Sequence, residues 1–364
     1  MTRLNHRSAT ASAFVISALL GVFAPGAAAQ EPFYKGKRLS LLINFGAGSS
    51  TDTEARLFGR HFAKHIDGQP ELIMQNMEGA GGLNGAMHLG EVGPNDGTRM
   101  GYLTALAWLY GNEPDRFRVD LKNFRFVGYQ SGTAVYFVRS DVPPGIKQAT
   151  DIVKAKDLVS GGISARSGRD VTIRMTLDML GVPFKHVTGY RSGQRAMLAL
   201  ERNEIQFYSS TTPGYRAQIE PNFVKPGKVT ALYFDPNWDG KTFSVSPQVD
   251  GLPILPFQEL YRKINGKLPS GPLWEAYLAC ITLNGKLQRL VALPPGAPQP
   301  ALDALRAALR RLNDDKEFAA EATKVLKFVP EYYAGADTDD HVRNALTMSP
   351  DVRTFMAGYL KQGK

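Results

Sequence analysis

The chain has 364 residues, of which 43% are hydrophobic and 21% charged, with 36 glycines and 23 prolines. These proportions are typical of a globular protein and exclude a disordered, collagen-like or coiled-coil chain, and the length favours two domains. The single cysteine, Cys280, excludes an internal disulfide and a thiolate metal cluster. The net charge of +9 comes from scattered lysines and arginines without a basic run, so no nucleic-acid partner is expected.

The first residues have the pattern of an export signal. Arg3 and Arg7 give a basic start, the stretch 13–22 is mostly apolar, and three alanines end at Ala29. This pattern predicts a signal peptide over residues 1–29 that is cleaved near Ala29, and hence a protein that works outside the cytoplasmic membrane. An uncleaved membrane anchor is the alternative, but polar residues and a proline leave few consecutive apolar residues for a bilayer core of about 30 Å.

The chain after the signal alternates predicted strands and helices. The apolar run Leu39–Phe45 predicts a buried strand that ends in a glycine turn. Residues Thr51–Glu54 (TDTE) fit a capping box at the start of a helix. A strand at Glu71–Gln75, a helix through 83–89 and a strand at Arg99–Thr104 follow. Repeated strand–turn–helix units predict a parallel sheet with helices on its faces.

A second set of elements begins after Phe126–Val138, a β-rich stretch that we expect to cross between two lobes. Ser167–Asp170 fits another capping box before a helix. Strands are predicted at Asp157–Ser160, Phe184–Val187, Ile205–Tyr208 and Val229–Phe234, with a helix at Gln194–Glu201.

The last third of the chain has two extended stretches and a helical end. Tyr277–Leu283 and Gln288–Leu293 are apolar runs that predict strands. Pro300 fits the first position of a helix whose leucines recur at helical spacing. This order suggests that the carboxyl-terminal part rejoins the first lobe.

Three turns of one kind carry the functional signal. Gly46–Asp52, Gly79–Asn84 and Ser164–Asp170 each place small residues between a predicted strand and a helix start. Glycine lets a ligand approach the backbone, and the free N–H groups of a helix start favour anions. Ligands in open α/β sheets bind beyond the carboxyl ends of the strands, where these turns lie. In a single turn of this kind, the glycines could serve only to make a tight connection between a strand and a helix. Three such turns together favour an anion-binding cleft.

The glycines of Gly79–Asn84 do not predict a nucleotide site. Asn84 stands where a dinucleotide fingerprint has its third glycine or alanine, and the turn follows the second strand instead of the first. Neither GxxxxGK[ST] nor GxSxG occurs in the sequence. No nucleotide or other cofactor is therefore expected.

The histidines and nucleophilic residues do not support catalysis. His61 and His65 lie four apart on the first helix but lack the HExxH glutamate, so we expect surface residues and no metal site. Cys280 lies in an apolar run and is expected in the core. Ser49 and Ser167 have no evident histidine partner.

The order of motifs in the first part of the chain resembles a known family. The turn GAGSSTD after the first strand, the turn NMEGAGG after the second and the later PNDG resemble the tripartite tricarboxylate transporter substrate-binding proteins, also called the Bug receptor family. The match is specific over residues 33–104. It is weaker over 158–234, where VTGYRSGQRAMLALERNEIQF is similar to the family's second-lobe strand–helix–strand, and weaker again over 275–330.

The resemblance implies a type II periplasmic binding protein fold. This is an α/β fold with two lobes, each a mostly parallel sheet flanked by helices, and with the ligand cleft between them. We expect lobe one at residues 31–132 plus 273–364 and lobe two at residues 133–272, joined by two crossing strands.

The resemblance also implies site residues. In the family, the turns after the first two strands hold one carboxylate, partly through ordered water, and the second lobe holds the rest of the ligand. The first-lobe candidates by position are Gly46, Ala47, Gly48, Ser49, Ser50, Thr51, Asp52, Gly79, Ala80, Gly81 and Gly82. The second-lobe candidates are Ser164, Arg166, Ser167, Arg169, Asp170, Tyr208, Ser209 and Thr211.

The second-lobe turn departs from the family pattern. Arg166 and Arg169 occupy a stretch that is usually made of small and hydroxyl residues, and Gln206 stands where an acidic residue is common. One of these arginines could bind a second carboxylate of the ligand through two hydrogen bonds, or it could face solvent, and the sequence leaves both alternatives open. The identity of the ligand is therefore open as well.

The function implied by the resemblance is that of a non-enzymatic, periplasmic solute-binding receptor. We expect a monomer that captures a small carboxylate and delivers it to the membrane permease subunits of a tripartite tricarboxylate-type transporter. Two alternatives remain: a receptor of the same fold that presents its ligand to a sensor system, and a secreted α/β hydrolase.

Overall fold

Strands and helices alternate along most of the chain. The structure, a computed structural model, describes residues 1–2, 31–190, 192–238 and 240–361. The apolar stretch and the cleavage site predicted for the signal peptide fall outside these residues. The described strands are β1 (Arg38–Ile43), β2 (Glu71–Asn76), β3 (Arg99–Leu103), β4 (Arg125–Gln130), β5 (Ala134–Arg139), β6 (Leu158–Gly161), β7 (Phe184–Val187), β8 (Phe207–Thr211), β9 (Val229–Phe234), β10 (Asn237–Trp238), β11 (Phe243–Ser244), β12 (Leu255–Pro256) and β13 (Arg289–Leu293).

The helices of the described residues lie between and after these strands. They are α1 (Ser50–His65), α2 (Leu83–Glu91), α3 (Leu106–Asn112), α4 (Gly168–Met179), α5 (Gly193–Glu201), α6 (Thr212–Gly214), α7 (Phe257–Asn265), α8 (Pro272–Lys286), α9 (Gln299–Asn313), α10 (Lys316–Leu326), α11 (Thr338–Ala345) and α12 (Pro350–Lys361). A π-helical segment, Tyr215–Val224, continues α6.

The first sheet combines strands that are far apart in the sequence. Its order is β2-β1-β3-β13-β4. β1 is parallel to β2 and β3, and Ile43 at its end lies opposite Asn76 and Tyr102. β13 runs antiparallel to both β3 and β4. The carboxyl ends of the three parallel strands therefore meet at one edge of the sheet, where their turns can form a site.

The second sheet has six strands in the order β12-β9-β5-β8-β6-β7. β5 is antiparallel to β8 and β9, whereas β6 is parallel to β7 and β8. β4 and β5 are consecutive strands in different sheets, so the chain passes from the first sheet to the second across residues 131–133. The predicted α/β fold class is confirmed, and both sheets are mixed because β13 and β5 run against their neighbours.

Buried side chains join the two sheets into one compact unit from Pro32 onward. One cluster, which includes Phe58 and Leu305, packs between the first sheet and helices α1 and α9. Another cluster, which includes Phe137, belongs to the second sheet. The largest cluster extends from Trp108 near the first sheet to Tyr233 in the second and includes α8. Helices α9 and α11 also pack on β4.

The start and the buried face of α1 follow from its sequence. The side chain of Ser49 caps the helix by accepting a hydrogen bond from the backbone N–H of Asp52 at 3.2 Å. Phe58 and Phe62 lie one turn apart on the buried face, with ring centroids 4.6 Å apart. Phe58 also packs 5.2 Å from the ring of Tyr102 on β3. Helix α1 is thereby held directly behind the turn that follows β1.

Two sequence predictions are wrong. The capping box was expected at Thr51–Glu54, but Ser49 is the cap and Glu54 is buried against Arg289 of β13. Tyr277–Leu283 was expected to be extended, but it lies inside the helix α8. The buried residues Tyr277, Cys280 and Ile281 recur at helical spacing, but the half-buried Leu278 and Ala279 between them are also apolar, so the run looked continuous.

The lobe boundaries at 132/133 and 272/273 remain a prediction. The distribution of strands over two sheets is what supports them. Helix α8, which begins at that second boundary, contacts α3, α4 and α12 and so touches elements beside both sheets.

Candidate ligand-binding cleft

A cleft opens where the strands of the two sheets end. It encloses about 1210 Å³ of space when the open mouth is included. Its walls include residues that follow the carboxyl ends of β1, β2, β3, β6, β7 and β9. The residues that line it are Phe45, Ser49, Ser50, Thr51, Gly81, Thr104, Ala105, Gly132, Thr133, Ala134, Ile163, Ser167, Arg169, Thr172, Gly193, Gln194, Met197, Tyr208, Ser210, Thr211, Gly214, Gln218, Ile219, Asp235, Pro236, Ile281, Asn284, Gly285 and Gln288.

The turn after β1 presents backbone donors to this cleft. Ser49, Ser50 and Thr51 line it, and the last two are the first residues of α1. Backbone N–H groups in the first turn of a helix have no carbonyl partner within the helix. Because the side chain of Ser49 satisfies the N–H of Asp52, the N–H groups of Ser50 and Thr51 remain for a ligand.

The carboxylate of Asp52 shapes this turn instead of facing the cleft. It accepts hydrogen bonds from the backbone N–H of Gly48 at 2.8 Å, from Arg56 at 2.9 Å and from Asn76 at 2.8 Å. Burial acts to raise the pKa of Asp52, but the bonds from Arg56, Gly48 and Asn76 hold that pKa below its usual value. Asp52 is therefore an anion that fixes the loop from behind.

Asn44, which the sequence analysis did not single out, ties the first three turns together. Its side-chain amide donates to the carbonyls of Gly82 at 3.1 Å and Thr104 at 2.9 Å, and it accepts from the N–H of Thr104 at 3.0 Å. A Cβ on Gly82 would lie 2.5 Å from this amide, and Gly82 has a φ of +98°. Only glycine fits that position. Sequence reasoning missed Asn44 because the predicted strand Leu39–Phe45 includes it, whereas β1 ends at Ile43.

The turn after β2 brings one of its four predicted residues to the cleft. Gly79, Ala80, Gly81 and Gly82 all have positive φ values. Gly81 lines the cleft, whereas the other three lie behind it. Gly46 and Ala47 line a neighbouring cavity, whose lining also includes Ser192, Gln194, Arg195 and Leu198.

The turn after β6 supplies the second helix start. Ser167 caps α4 by accepting from the N–H of Asp170 at 3.2 Å. Arg169 is half-buried, lines the cleft and lies 3.3 Å from the hydroxyl of Tyr208. Among the described residues, no carboxylate pairs with Arg169. Its guanidinium is therefore available to an anionic ligand.

The other second-lobe candidates are divided between the cleft and its surroundings. Tyr208 and Thr211 line the cleft, but Ser164 and Asp170 do not, and Ser209 is fully buried elsewhere. Arg166 does not line the cleft either, because it forms an ion pair with Glu113. Gln206 is held by the N–H of Val159 and by Asn203, away from the lining residues.

A buried serine, histidine and aspartate are joined by hydrogen bonds next to this turn. Ser160 Oγ lies 2.8 Å from His186 Nδ1, and His186 Nε2 lies 3.0 Å from Asp170 Oδ1. The sequence analysis missed this arrangement because the residues come from three elements. A serine nucleophile must reach its substrate, yet Ser160 is 0% exposed and does not line the cleft. The network holds Asp170, which accepts from the N–H of Ile163, and so shapes the α4 start.

Two hydrogen bonds bridge the cleft from one sheet's side to the other. Gln194 Nε2 donates to the carbonyl of Gly48 at 2.5 Å, and Ser50 Oγ lies 3.3 Å from Thr211 Oγ1. Ser50 and Gly48 belong to the β1 turn, whereas Gln194 and Thr211 belong to elements of the second sheet. The structure thus shows the walls of the cleft in contact.

Asp235, directly after β9, is the acidic residue in the lining that the sequence analysis missed. Its carboxylate accepts from the hydroxyl of Tyr277 at 2.8 Å and lies 3.0 Å from the hydroxyl of Tyr136. Burial raises the pKa of Asp235 to about 7, against the lowering effect of these two bonds. The sequence analysis singled out small-residue turns that precede a helix, whereas Asp235 is followed by the short strand β10.

The histidines of α1 are not the solvated surface residues that were expected. His61 is buried and its Nε2 lies 2.7 Å from Glu321, whereas His65 Nε2 lies 2.9 Å from Asp315. His61, Asp315 and Glu317 present metal-ligand atoms within 4.8 Å of one another. Each of these three already faces an oppositely charged or titratable side chain. They tie α1 to α10 outside the cleft.

The described residues include no helix with the length and apolar character needed to cross a membrane.

Sequence relatives of this chain carry one family label. No protein-family model matches the chain. It is 25% identical over 225 residues to the "UPF0065 protein in the TAR-I ttuE-ttuC' intergenic region" of Agrobacterium vitis, a match that covers 60% of this chain and 64% of the relative. It is 27% identical over 268 residues to the "UPF0065 protein in gbd 5'region" of Cupriavidus necator, with 69% and 74% covered. The chain thus spans a little less than two thirds of the first of these curated relatives.

Solved structures share the fold over nearly their whole length. The periplasmic binding protein BugD has a TM-score of 0.66 at 18% identity, with 89% of this chain and 98% of BugD covered. MatC from Rhodopseudomonas palustris, which has bound malate, has a TM-score of 0.61 at 17% identity, with 87% and 99% covered. A TctC solute binding protein from Polaromonas has a TM-score of 0.53 at 17% identity, with 89% and 99% covered.

The two sheets and the cleft at their strand ends define the fold of a periplasmic solute-binding protein. The resemblance to the Bug receptor family is confirmed: the structural neighbours include BugD and a TctC protein, and both curated relatives are UPF0065 proteins, which is the Bug family. The names of these neighbours describe binding and transport proteins.

Proposed function

We propose that this protein is a periplasmic receptor that captures a small carboxylate and delivers it to a tripartite tricarboxylate-type membrane transporter. The observation that carries the proposal is the convergence of two helix starts, those of α1 and α4, on one cleft. A helix start combines free N–H donors with the positive end of the helix dipole, and both favour an anion.

One carboxylate group of the ligand is assigned to the first-sheet side of the cleft. The N–H groups of Ser50 and Thr51 are free for it, and Gly81 permits close approach of the ligand to the backbone. A helix start favours a nearby negative group by about 0.3–1 kcal/mol when exposed, and by more when water is partly excluded. Asp52 does not oppose this assignment, because its carboxylate accepts hydrogen bonds from Gly48, Arg56 and Asn76 instead of facing the ligand.

The second-sheet side of the cleft is proposed to select the ligand. Arg169 offers a planar cation that can hold a carboxylate through two parallel hydrogen bonds. Its neighbour Tyr208 adds a hydroxyl at 3.3 Å. The shared fold with MatC, which binds malate in its solved structure, supports the same class of ligand here.

Export and the transporter partner rest on the predicted signal peptide over residues 1–29 and on the periplasmic neighbours. Uptake of a labelled ligand by cells, measured with and without this protein, tests the partner. Loss of uptake without the protein supports delivery to permease subunits. Unchanged uptake would instead favour presentation of the ligand to a sensor.

The ligand class is tested by a thermal-shift screen of mono-, di- and tricarboxylates and aromatic acids. A ligand that binds only the folded state raises the apparent stability with the logarithm of its concentration once that concentration exceeds its Kd. We expect at least one carboxylate to raise the melting temperature in this concentration-dependent way. A flat response across the whole panel would contradict the proposal.

The role of Arg169 is tested against a matched control in the same turn. Arg169→Ala removes a charge-assisted hydrogen bond worth about 1.5–3 kcal/mol, so affinity for ligands that reach it should fall roughly ten- to hundredfold. Arg166→Ala removes an arginine that pairs with Glu113 outside the cleft and should bind as the wild type does. Equal affinities of the Arg169→Ala variant and the wild type, measured by calorimetry, would remove Arg169 from the site.

A further inference from the structure

Asp235 is a carboxylate at the ligand cleft without a cation beside it. It follows β9 and lines the cleft. Among the described residues, no lysine, arginine or histidine lies within ion-pair distance of it. Asp235 is partly exposed to the cleft, and two tyrosine hydroxyls bond its carboxylate. Its negative charge is not balanced by a cation of the protein, so a cationic group of a ligand could pair with it.

The hydroxyl groups around Asp235 can serve either protonation state. Tyr277 donates to Oδ1 at 2.8 Å, and the Tyr136 hydroxyl lies 3.0 Å from Oδ2 and 2.7 Å from the Thr172 hydroxyl. Tyr136 has one proton for these two neighbours. It donates to Asp235 when that group is ionised, and it can accept from Asp235 when the group is protonated.

The remaining titratable groups near Asp235 carry no charge at neutral pH. They are Tyr233 on its own strand and Cys280 on α8, both fully buried, along with the two tyrosines already named. Burial raises the pKa values of all of these groups. The same burial places the pKa of Asp235 at about 7, so a cation beside it would shift it fully to the charged form.

The cleft as a whole is lined by one formal positive charge and one formal negative charge. Within the described lining these are Arg169 and Asp235, and neither has an ionic partner there. A ligand with only carboxylates would satisfy Arg169 and repel Asp235. A ligand with one carboxylate and one cationic nitrogen would satisfy both.

We propose that the ligand is a carboxylate that also carries a protonated amine, an amino acid or a related zwitterion, and that its ammonium group pairs with Asp235. This inference rests on the proposed function, since it names the ligand class for the same cleft. Each Asp235 oxygen can accept a second hydrogen bond beside its tyrosine, and an ammonium group supplies three donors.

Matched ligand pairs test the proposal. Calorimetry at pH 7.5 compares aspartate with succinate and malate, glutamate with glutarate, and phenylalanine with 3-phenylpropionate. In at least one set we expect the amine to bind tenfold or more tightly than its amine-free analogues. Asp235→Asn should abolish that preference, because it removes the partner of the ammonium group and also removes the repulsion that weakens amine-free carboxylates. Asp157→Asn changes an exposed aspartate before β6 and should keep the preference.

The pH dependence of ligand affinity supplies a second test, because the proposal predicts the direction in which affinity changes with pH. A protonated Asp235 cannot pair with an ammonium group, so affinity for the amine should fall as the pH drops below about 7. Binding of the amine should release protons, which calorimetry in two buffers of different ionisation enthalpy detects. An amine-free carboxylate should show the opposite trend, because protonation removes the repulsion.

The outcomes separate this inference from the proposed function. If amine-free carboxylates bind as well as or better than their amines, the inference is overturned and the carboxylate receptor stands. If Asp235→Asn keeps the amine preference, the ammonium group lies elsewhere and the inference is likewise overturned. If no member of the panel binds, the inference and the proposed function fall together.

Discussion

Asp235 makes the stability of the protein depend on pH through a single carboxyl group. In the unfolded chain its pKa returns to the ordinary value of 3.8, whereas in the fold burial holds it at about 7. Because the folded state binds the proton more tightly, the free energy of unfolding should fall as the pH rises from about 4 to about 7. The charged form is the one that the empty cleft tolerates poorly.

Asp235→Asn should remove this contribution. At pH 8 the variant should be more stable than the wild type by up to about 4 kcal/mol, from ~1.4 kcal/mol for each pKa unit, and at pH 4 the two should be nearly equal. Urea unfolding of both proteins at the two pH values measures the difference. A constant difference between pH 4 and pH 8 would contradict the raised pKa.

Gly81 is predicted to be needed for ligand access and not only for the turn. Its φ is +68°, and no atom lies within 4 Å of the position a Cβ would take. Gly81→Val should cost about 1–2 kcal/mol of backbone strain and weaken every ligand, since the added side chain points into open cleft space. Unimpaired binding would remove the β2 turn from the site.

Gly36 provides the matched control for that variant. It has a φ of +69° and equally open surroundings, but it lies outside the cleft lining. Gly36→Val should therefore lose similar stability and keep full affinity. Thermal unfolding combined with calorimetry on both variants separates strain from blocked access.

At the scale of elements, a buried ion pair holds α1 to the first sheet under the cleft. Arg289 of β13 lies 2.6 Å and 2.8 Å from Glu54 Oε2 through two of its nitrogens, and both side chains are at most 1% exposed. Arg289 also donates to the hydroxyl of Thr104, a cleft residue, at 3.0 Å. The pair thereby links α1, the strand β13 and the turn after β3.

Breaking this pair from one side should be more damaging than replacing it. Glu54→Leu or Arg289→Met alone leaves a buried charge without its partner and should cost about 3–5 kcal/mol. The double variant should recover most of that loss, because no unpaired charge remains. Chemical denaturation of the four proteins gives the interaction energy, and additive losses would show that the two charges do not depend on each other.

The accuracy of the sequence predictions differs between elements for a physical reason. The turns after β1, β2 and β6 were found because glycine, serine and aspartate act locally on the backbone. Asn44 and Asp235 were not found, since their importance comes from contacts with elements 38 to 99 residues away. The helix α8 was mistaken for a strand because half-buried apolar residues fill the positions between its buried ones and make the apolar run continuous.

At the scale of the molecule, the contacts across the cleft describe a closed arrangement. A ligand that touches both walls should favour this form by its differential contacts alone. Small-angle scattering should therefore show compaction when ligand is added. An unchanged profile would make rigid binding the better account.

Gly214 gives a steric test of closure. Its backbone is ordinary helix, but a Cβ there would lie 2.9 Å from the Cβ of Ser50 across the cleft and 2.6 Å from Ser210 Oγ. Gly214→Ala should hold the walls apart and weaken all ligands together. Gly358→Ala, on α12 with open space around it, should leave both affinity and scattering unchanged. Full compaction of the Gly214→Ala variant would exclude this contact from closure.

The position of β13 has a consequence for the order in which the protein is made. Residues 289–293 form the strand between β3 and β4, so two strand edges of the first sheet stay open until ribosomes have completed about four fifths of the chain. Long-range strand pairing of this kind is slow, since the entropy of closing a large loop is paid before the contacts form. A nascent chain shorter than that lacks Val291 and Leu293, which belong to the cluster around Phe58. The first sheet can therefore reach its full strand order only late in synthesis.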